Sequence, residues 1–335
     1  MSALVLAACS SSSSPSAAST SSTGKSQTGS SPVSVPITTV SVPTSGGSSS
    51  YVIVHISVAG GPEVPVQLDT GSAGLVISSS DVGKQAKTTS TVMPIGYVAG
   101  TVTGKLAHGS VKIGGLSTRS STGFVEAPAS SAFMASEKKD HGVDGILGIA
   151  MGSEDQANSS WFSPLLQLPS PYWKGATLHV ATSGTGSLIL GPVSPAAGGV
   201  SLPMLATTPP ATYPGGVPAY QKDVMLCWTA GPGSALCGTT DMDLGSPNLL
   251  LDPAGVPNAP VVQSVVVRSG TPMAVSSPGG VTLWSFPAAD SLSPTLVQLL
   301  TQGYTTYNTG IGFFFTHTIA YDVAGGQFLI SAPSP

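Results

Sequence analysis

Two short stretches of this sequence hold the residue types needed for acid–base hydrolysis. Asp69-Thr70-Gly71-Ser72 and Asp243-Leu244-Gly245-Ser246 share the form Asp-x-Gly-Ser, and each is followed by an apolar triplet, Leu75-Val76-Ile77 or Leu249-Leu250-Leu251. An aspartate ending an apolar strand and followed by x-Gly-Ser sits on a tight turn. The glycine permits close backbone approach, and turn amides and hydroxyls reach the carboxylate. Two such turns facing each other would bring two carboxylates within about 3 Å, where both cannot easily ionise and one proton is shared. One carboxylate then acts as general base on a water, while its protonated partner polarises a carbonyl and later supplies a proton. The titration belongs to the pair. No metal or cofactor is required.

The elements that must position these turns are β-strands. The 335 residues include 41 glycines and 29 prolines, yet 41% of the chain is apolar and only 8% is charged. Disordered chains are poor in apolar residues and rich in net charge, so full disorder is excluded. Tyr51–Val58 reads as a strand, and Val64, Val66 and Leu68 alternate along another. Glycine and threonine predict a hairpin around Gly100–Gly104. Helical signals are few: Trp161–Leu168 and Pro294–Leu300 each predict a short helix, the second with proline at an early position. The two Asp-x-Gly-Ser stretches belong to a weak internal repeat. Gly145-Ile-Leu-Gly148 follows the first at a distance similar to that of Gly310-Ile-Gly312 from the second. Two β lobes, each contributing one aspartate, would produce this pattern.

The order of these elements resembles the pepsin-like aspartic proteases over residues 50–333. Asp69-Thr-Gly-Ser72 is similar to the family's first active-site motif. Tyr97-Val-Ala-Gly-Thr-Val-Thr-Gly104, Gly109 and Val111-Lys-Ile-Gly-Gly-Leu116 are similar to its flap hairpin and continuation. Asp144-Gly-Ile-Leu-Gly-Ile149 and Gly186-Ser-Leu-Ile-Leu-Gly191 resemble elements that close the first half. Cys237 stands where the family often has a half-cystine, and Gly312-Phe-Phe-Phe315, Ile319–Val323 and Phe328–Ile330 resemble its C-terminal strands. Gly60–Val66 is similar to the bacterial, particularly mycobacterial, branch. The resemblance implies an all-β, bilobal acid-protease fold with a cleft between lobes. It implies Asp69 and Asp243 as the dyad and Tyr97, with Gly100, in a flap over the substrate. Thr70, Gly71, Ser72, Gly245 and Ser246 would support the dyad, Ser72 by hydrogen-bonding Asp69 and Thr70 by bracing the lobes.

The second motif departs from the family pattern. Leu244 cannot supply the second bracing hydroxyl, and Pro247 follows where a small hydroxyl residue is common. Asp241-Met242 replaces an apolar pair, so Asp241 is a rival carboxylate, although Asp243 alone is followed by x-Gly. The tryptophan that often hydrogen-bonds the flap tyrosine is replaced near Val76.

Leu6-Ala7-Ala8-Cys9 is similar to a bacterial lipobox, whose cysteine is lipidated, with the true start expected upstream of Met1. Residues 10–50 are nearly all Ser, Thr, Gly, Pro and Ala, which predicts a disordered tether. The expected organisation is thus a truncated signal over 1–9, the tether over 10–50, a first lobe over 51–195 and a second over 196–335. A bacterial cell-surface location follows from this reading. With Cys9 assigned to lipid, Cys227 and Cys237 flank Gly231-Pro-Gly233 and would close one hairpin in an oxidising compartment. Two free buried thiols are the alternative.

Other chemistries lack their signatures. The 5 histidines are scattered with no His-Glu-x-x-His and no Cys-x-x-Cys, so no metal site is expected. No Gly-x-Ser-x-Gly elbow occurs. A net charge of −4 with 11 basic residues offers no stripe for nucleic acid. The Phe313-Phe314-Phe315 run predicts a buried strand. The expected protein is a monomeric, lipid-anchored aspartic endopeptidase acting on exported proteins or peptides, with no cofactor. The rival is a weak or inactive pepsin-like domain that binds a peptide or cell-envelope partner, a reading Leu244 makes credible.

Overall fold

The structure is a computed structural model that describes residues 31–152, 160–195, 198–262, 265–300 and 306–332. Cys9 and the expected signal and tether up to residue 30 lie outside the described residues. From Ser31 onward the chain forms one compact unit. The fold is all-β and pepsin-like, with two lobes built on two large sheets.

The expected tether is corrected from residue 33 onward. Val33–Thr44 is a strand, paired on one side with Gly184–Leu190 and on the other with Gly47–Val58. Within it Val35, Ile37 and Thr39 are buried while their neighbours Ser34, Pro36 and Thr38 are exposed. That alternation is the signature of a strand with one face on a core. Composition concealed it, because the exposed face is built of the same small polar residues as the preceding stretch.

A 15-stranded sheet runs through both halves of the sequence. It joins Gly175–His179 and Gly184–Leu190 to Ile319–Asp322, Gln327–Ile330 and Val200–Pro203. The break expected after residue 195 falls between two strands of this shared sheet, so the lobes rest on a common base. A nine-stranded sheet spanning Val224 to Asn308 completes the second lobe. It contains the hairpin Val224–Ala230/Leu236–Asp241, whose facing Cys227 and Cys237 form a disulfide.

Both active turns are held by the same construction. The strand Glu63–Asp69 runs parallel to Gly145–Ile149, with Asp69 opposite Gly148. The chain turns and returns as Ala73–Ser78 on the other side of that same strand. In the second lobe Leu236–Asp241 runs parallel to Tyr307–Asn308, and Leu249–Leu251 returns on its other side. Matching backbone bonds, Ala150 N–H to Ser72 O at 2.9 Å and Ile311 N–H to Ser246 O at 2.8 Å, close the two loops. The sequence repeat is therefore a repeat of structure.

Three local expectations change. Pro294–Leu300 is not a helix: Val297–Leu299 pairs parallel with Leu249–Leu251, burying Val297 and Leu299. Sheet pairing there overrides a weak helical pattern. Phe313-Phe314-Phe315 lies in a short helix, Gly312–Thr316, with Phe313 and Phe314 buried. A continuous apolar run does not distinguish buried strand from buried helix. Trp161–Leu168 holds only the 3-10 turn Pro164–Gln167.

The hairpin expected around Gly100–Gly104 is Lys87–Tyr97 paired with Gly100–His108, and Tyr97 faces Gly100 across the Val98-Ala99 tip. Val98 is 78% exposed. Below the tip, Met93, Ile95, Val102, Leu106, Val125 and Trp161 form a separate apolar cluster on which Tyr97 and Phe133 pack.

Candidate functional site

Asp69 and Asp243 lie together, each on its own turn, close enough that the Asp243 carboxyl acts directly on that of Asp69. Asp69 accepts from the Gly71 N–H at 2.8 Å on Oδ1 and from Ser72 Oγ at 2.5 Å on Oδ2. Asp243 Oδ1 accepts from the Gly245 N–H at 2.7 Å. Each turn glycine lies against the opposite aspartate. A Cβ on Gly71 would fall 2.5 Å from Asp243 Cγ, and one on Gly245 would fall 2.7 Å from Asp69 Cγ. Real Cβ atoms do not approach so closely, so only glycine lets the turns close to this distance.

The outer oxygen of Asp243 is held differently. Ser246, expected to support it, instead donates to the Asn248 carbonyl at 2.8 Å. Asn308 Nδ2 donates to Asp243 Oδ2 at 2.6 Å and does for this carboxylate what Ser72 does for Asp69. Asn308 was missed because nothing near Asp243 in sequence marks it. It arrives on the strand that runs parallel to Leu236–Asp241. Asn308→Ala is expected to lower kcat about tenfold with KM nearly unchanged, since the lost bond orients the catalytic group and not the substrate. Steady-state kinetics on a peptide substrate check this, and an unchanged kcat would remove Asn308 from the site.

Thr70 bridges the lobes. Its Oγ1 donates to the Met242 carbonyl at 2.6 Å and accepts from the Leu244 N–H at 2.7 Å. Leu244 is fully buried and returns nothing of this kind to the first lobe. The Tyr321 side chain, from the shared sheet, is buried beside Thr70. Asp241, the rival carboxylate, is buried and paired with Lys222 at 2.9 Å, while Asp243 is the carboxylate against which the Gly71 turn rests.

Burial and the neighbouring Asp243 push the Asp69 carboxyl up to about 8, against the opposing effect of the Ser72 and Gly71 donors. Burial and Asp243 likewise raise Asp241, with Lys222 opposing. Asp69 thus keeps its proton where ordinary carboxylates have lost theirs. That is the state in which one carboxyl can accept a proton and the other donate one.

Tyr97 stacks on Phe133 with ring centroids 5.2 Å apart and planes 15° from parallel. Gly100, with φ +150°, faces Phe133 too: a Cβ there would sit 3.4 Å from Phe133 Cδ2. Trp161 fills the region beside Val76 noted as lacking the usual tryptophan. Its Nε1 donates to the Leu75 carbonyl at 3.3 Å, and its ring lies against Gly74. Among the described residues no cluster of three or more His, Cys, Asp or Glu could hold a metal ion.

The family model for the PE-PGRS C-terminal aspartyl peptidase-like domain matches residues 33–205. The match takes in the Asp69 turn and the Lys87–His108 hairpin and ends before Asp243. It begins at Val33, the first residue of the first described strand. Comparison with curated proteins gives no match. A turn carrying the first aspartate, a hairpin carrying Tyr97, and a family match over just over half of the 335 residues agree: this chain belongs to the PE-PGRS C-terminal aspartyl peptidase-like domain family.

Proposed function

We propose that this protein is an aspartic endopeptidase. One observation carries the reading: two structurally repeated turns bring two carboxyls together, each with a donor on its outer oxygen. The ionised carboxylate takes a proton from a water, which attacks a peptide carbonyl. The protonated carboxyl polarises that carbonyl and then protonates the leaving amine. An extended substrate suits the cleft, because backbone hydrogen bonds to strand edges and the flap recognise any sequence in that conformation. Closure of the Tyr97 hairpin over the bound chain would exclude water. The test is cleavage of an unstructured protein by the purified chain, with and without a statine-type inhibitor. Inhibitor-sensitive cleavage at internal bonds supports the reading, and an inert protein counts against it. The second reading, a domain that holds a peptide or cell-envelope partner without cutting it, is favoured by Leu244. The approach of Asp69 and Asp243 to each other across the two turns weighs against that reading.

A cell-surface location is part of the proposal, supported by Leu6-Ala7-Ala8-Cys9. Mass spectrometry of membrane fractions is expected to find diacylglyceryl on Cys9. A Cys9→Ala chain that partitions equally into membranes would count against the anchor.

A further inference from the structure

The backbone carbonyls of the two turn glycines are both held from the opposite lobe. Gln67, two residues before Asp69, donates its side-chain amide to the Gly245 carbonyl at 3.3 Å. The repeat places Asp241 two residues before Asp243, and its target by symmetry is the Gly71 carbonyl. An ionised carboxylate cannot donate to a carbonyl. Lys222 Nζ stands between them, donating to Gly71 O at 3.0 Å and to Asp241 Oδ2 at 2.9 Å. The segment before Lys222 packs on the first lobe, with the Tyr220 N–H directed at the Met151 carbonyl at 3.5 Å. Both Gln67 and Asp241 are buried.

We propose that Lys222 and Asp241 together form a positioning clamp on the Gly71 turn, the counterpart of Gln67 on Gly245, and supply the second-lobe donor that Leu244 cannot. Gly71 gives its N–H to Asp69 and lies against Asp243, so a shift of this turn moves both carboxyls. The clamp also places a cation beside a dense set of acids. Asp243 and Asp223 interact electrostatically with Asp241, and the Tyr321 hydroxyl and Asp69 lie in the same field. Among the described residues Asp241 Oδ1 is buried with no hydrogen-bond partner, and Lys222 pairs with the other oxygen of this carboxylate.

The kinetic part of the proposal rests on the endopeptidase reading, and the test keeps the two apart. In the full chain, Lys222→Met is expected to lower kcat about tenfold or more with KM within about twofold, the size of effect that a small misplacement of reacting groups produces. Its alkaline limb should move to higher pH, because losing the cation favours protonated carboxyls. Lys222→Met/Asp241→Gln puts an amide where the repeat has Gln67. It should recover kcat to within about threefold of the wild type and return the alkaline limb. Lys222→Met/Asp241→Asn removes the same charges without the reach and should not recover kcat. Lys222→Arg, which keeps a donor for Gly71, should stay closer to the wild type than Lys222→Met.

The clamp is overturned by wild-type kinetics in Lys222→Met. It is also overturned if the folded Gln-containing double variant is as slow as Lys222→Met, or if that variant does not fold and Lys222→Arg is equally slow. If the wild type itself cleaves nothing, the endopeptidase reading fails and the clamp is judged by melting. Lys222→Met should then lower Tm by about 2–4 °C, with recovery in the Gln-containing double variant. Absence of that recovery overturns it.

Discussion

Asp69→Asn is expected to lower turnover by about 1,000-fold or more, within the range that a lost general acid–base function produces. Asparagine matches aspartate in shape, and its amide oxygen can still accept from Gly71 N–H, so the turn survives. What it lacks is the ability to exchange a proton with Asp243 and with a water. Proton exchange is lost in the same way in Asp243→Asn, whose single amide oxygen can accept from the Gly245 N–H or from Asn308 but not from both. Neither variant should unfold the protein, and Asp69→Asn should hold or raise Tm at neutral pH because it removes one of two adjacent acids from a buried site. Cleavage rates and melting curves measured on one preparation separate chemistry from folding. Activity within about tenfold of the wild type in both variants would remove the dyad from the mechanism, since general acid–base groups contribute more than that.

Stability is expected to fall as pH rises from about 4 to about 8. Asp69 titrates near 3.8 in an unfolded chain and is pushed up to about 8 by burial and Asp243 in the folded one. Below the lower value both states hold the proton and the stabilisation is complete. Between the two values the unfolded chain releases its proton while the folded protein keeps it. Each pH unit then costs at most about 1.4 kcal/mol for this group. Above the upper value the loss is complete. Asp241 and Asp223 are raised in the same direction by burial, which adds to the trend. Denaturant titrations at several pH values across this window measure the slope, and Asp69→Asn should flatten it. Wild-type stability that rises with pH would contradict the protonated dyad. The same titration sets the alkaline limb of turnover, so activity should persist toward neutral pH and fall as the shared proton is lost.

The two active turns were legible because their requirements are local. An aspartate on a tight turn needs glycine two residues on, and an apolar strand on either side leaves its own periodic trace. The flap was legible for the same reason, as two β-prone runs joined at glycine. The error at residues 33–44 has the opposite origin. Val33, Val35 and Ile37 carried a strand period, but serine, threonine and proline on the other face made the segment look like the stretch before it. Only the pairing with Gly184–Leu190 and Gly47–Val58 turned that weak pattern into a strand. The short helix at Phe313 and the strand at Val297 were likewise settled by neighbours, because apolar runs satisfy either geometry.

The residues around the dyad divide along the same line. The chain's local order dictates an Asp-x-Gly-Ser turn in each half and the all-β pattern, since spacing along the backbone is enough to specify them, while the structure joins Cys227 and Cys237, which the sequence had left open. The second lobe's donors were decided in three dimensions. Ser246 follows Asp243 as Ser72 follows Asp69, yet it turns to Asn248, and Asn308 reaches the carboxylate from 65 residues away. Lys222 is joined to Gly71 across 151 residues. A hydrogen bond needs two groups within about 3 Å, and sequence reports that proximity only when the groups are near neighbours on one strand or turn. Where two lobes meet, the partner comes from whichever distant strand the sheets bring there.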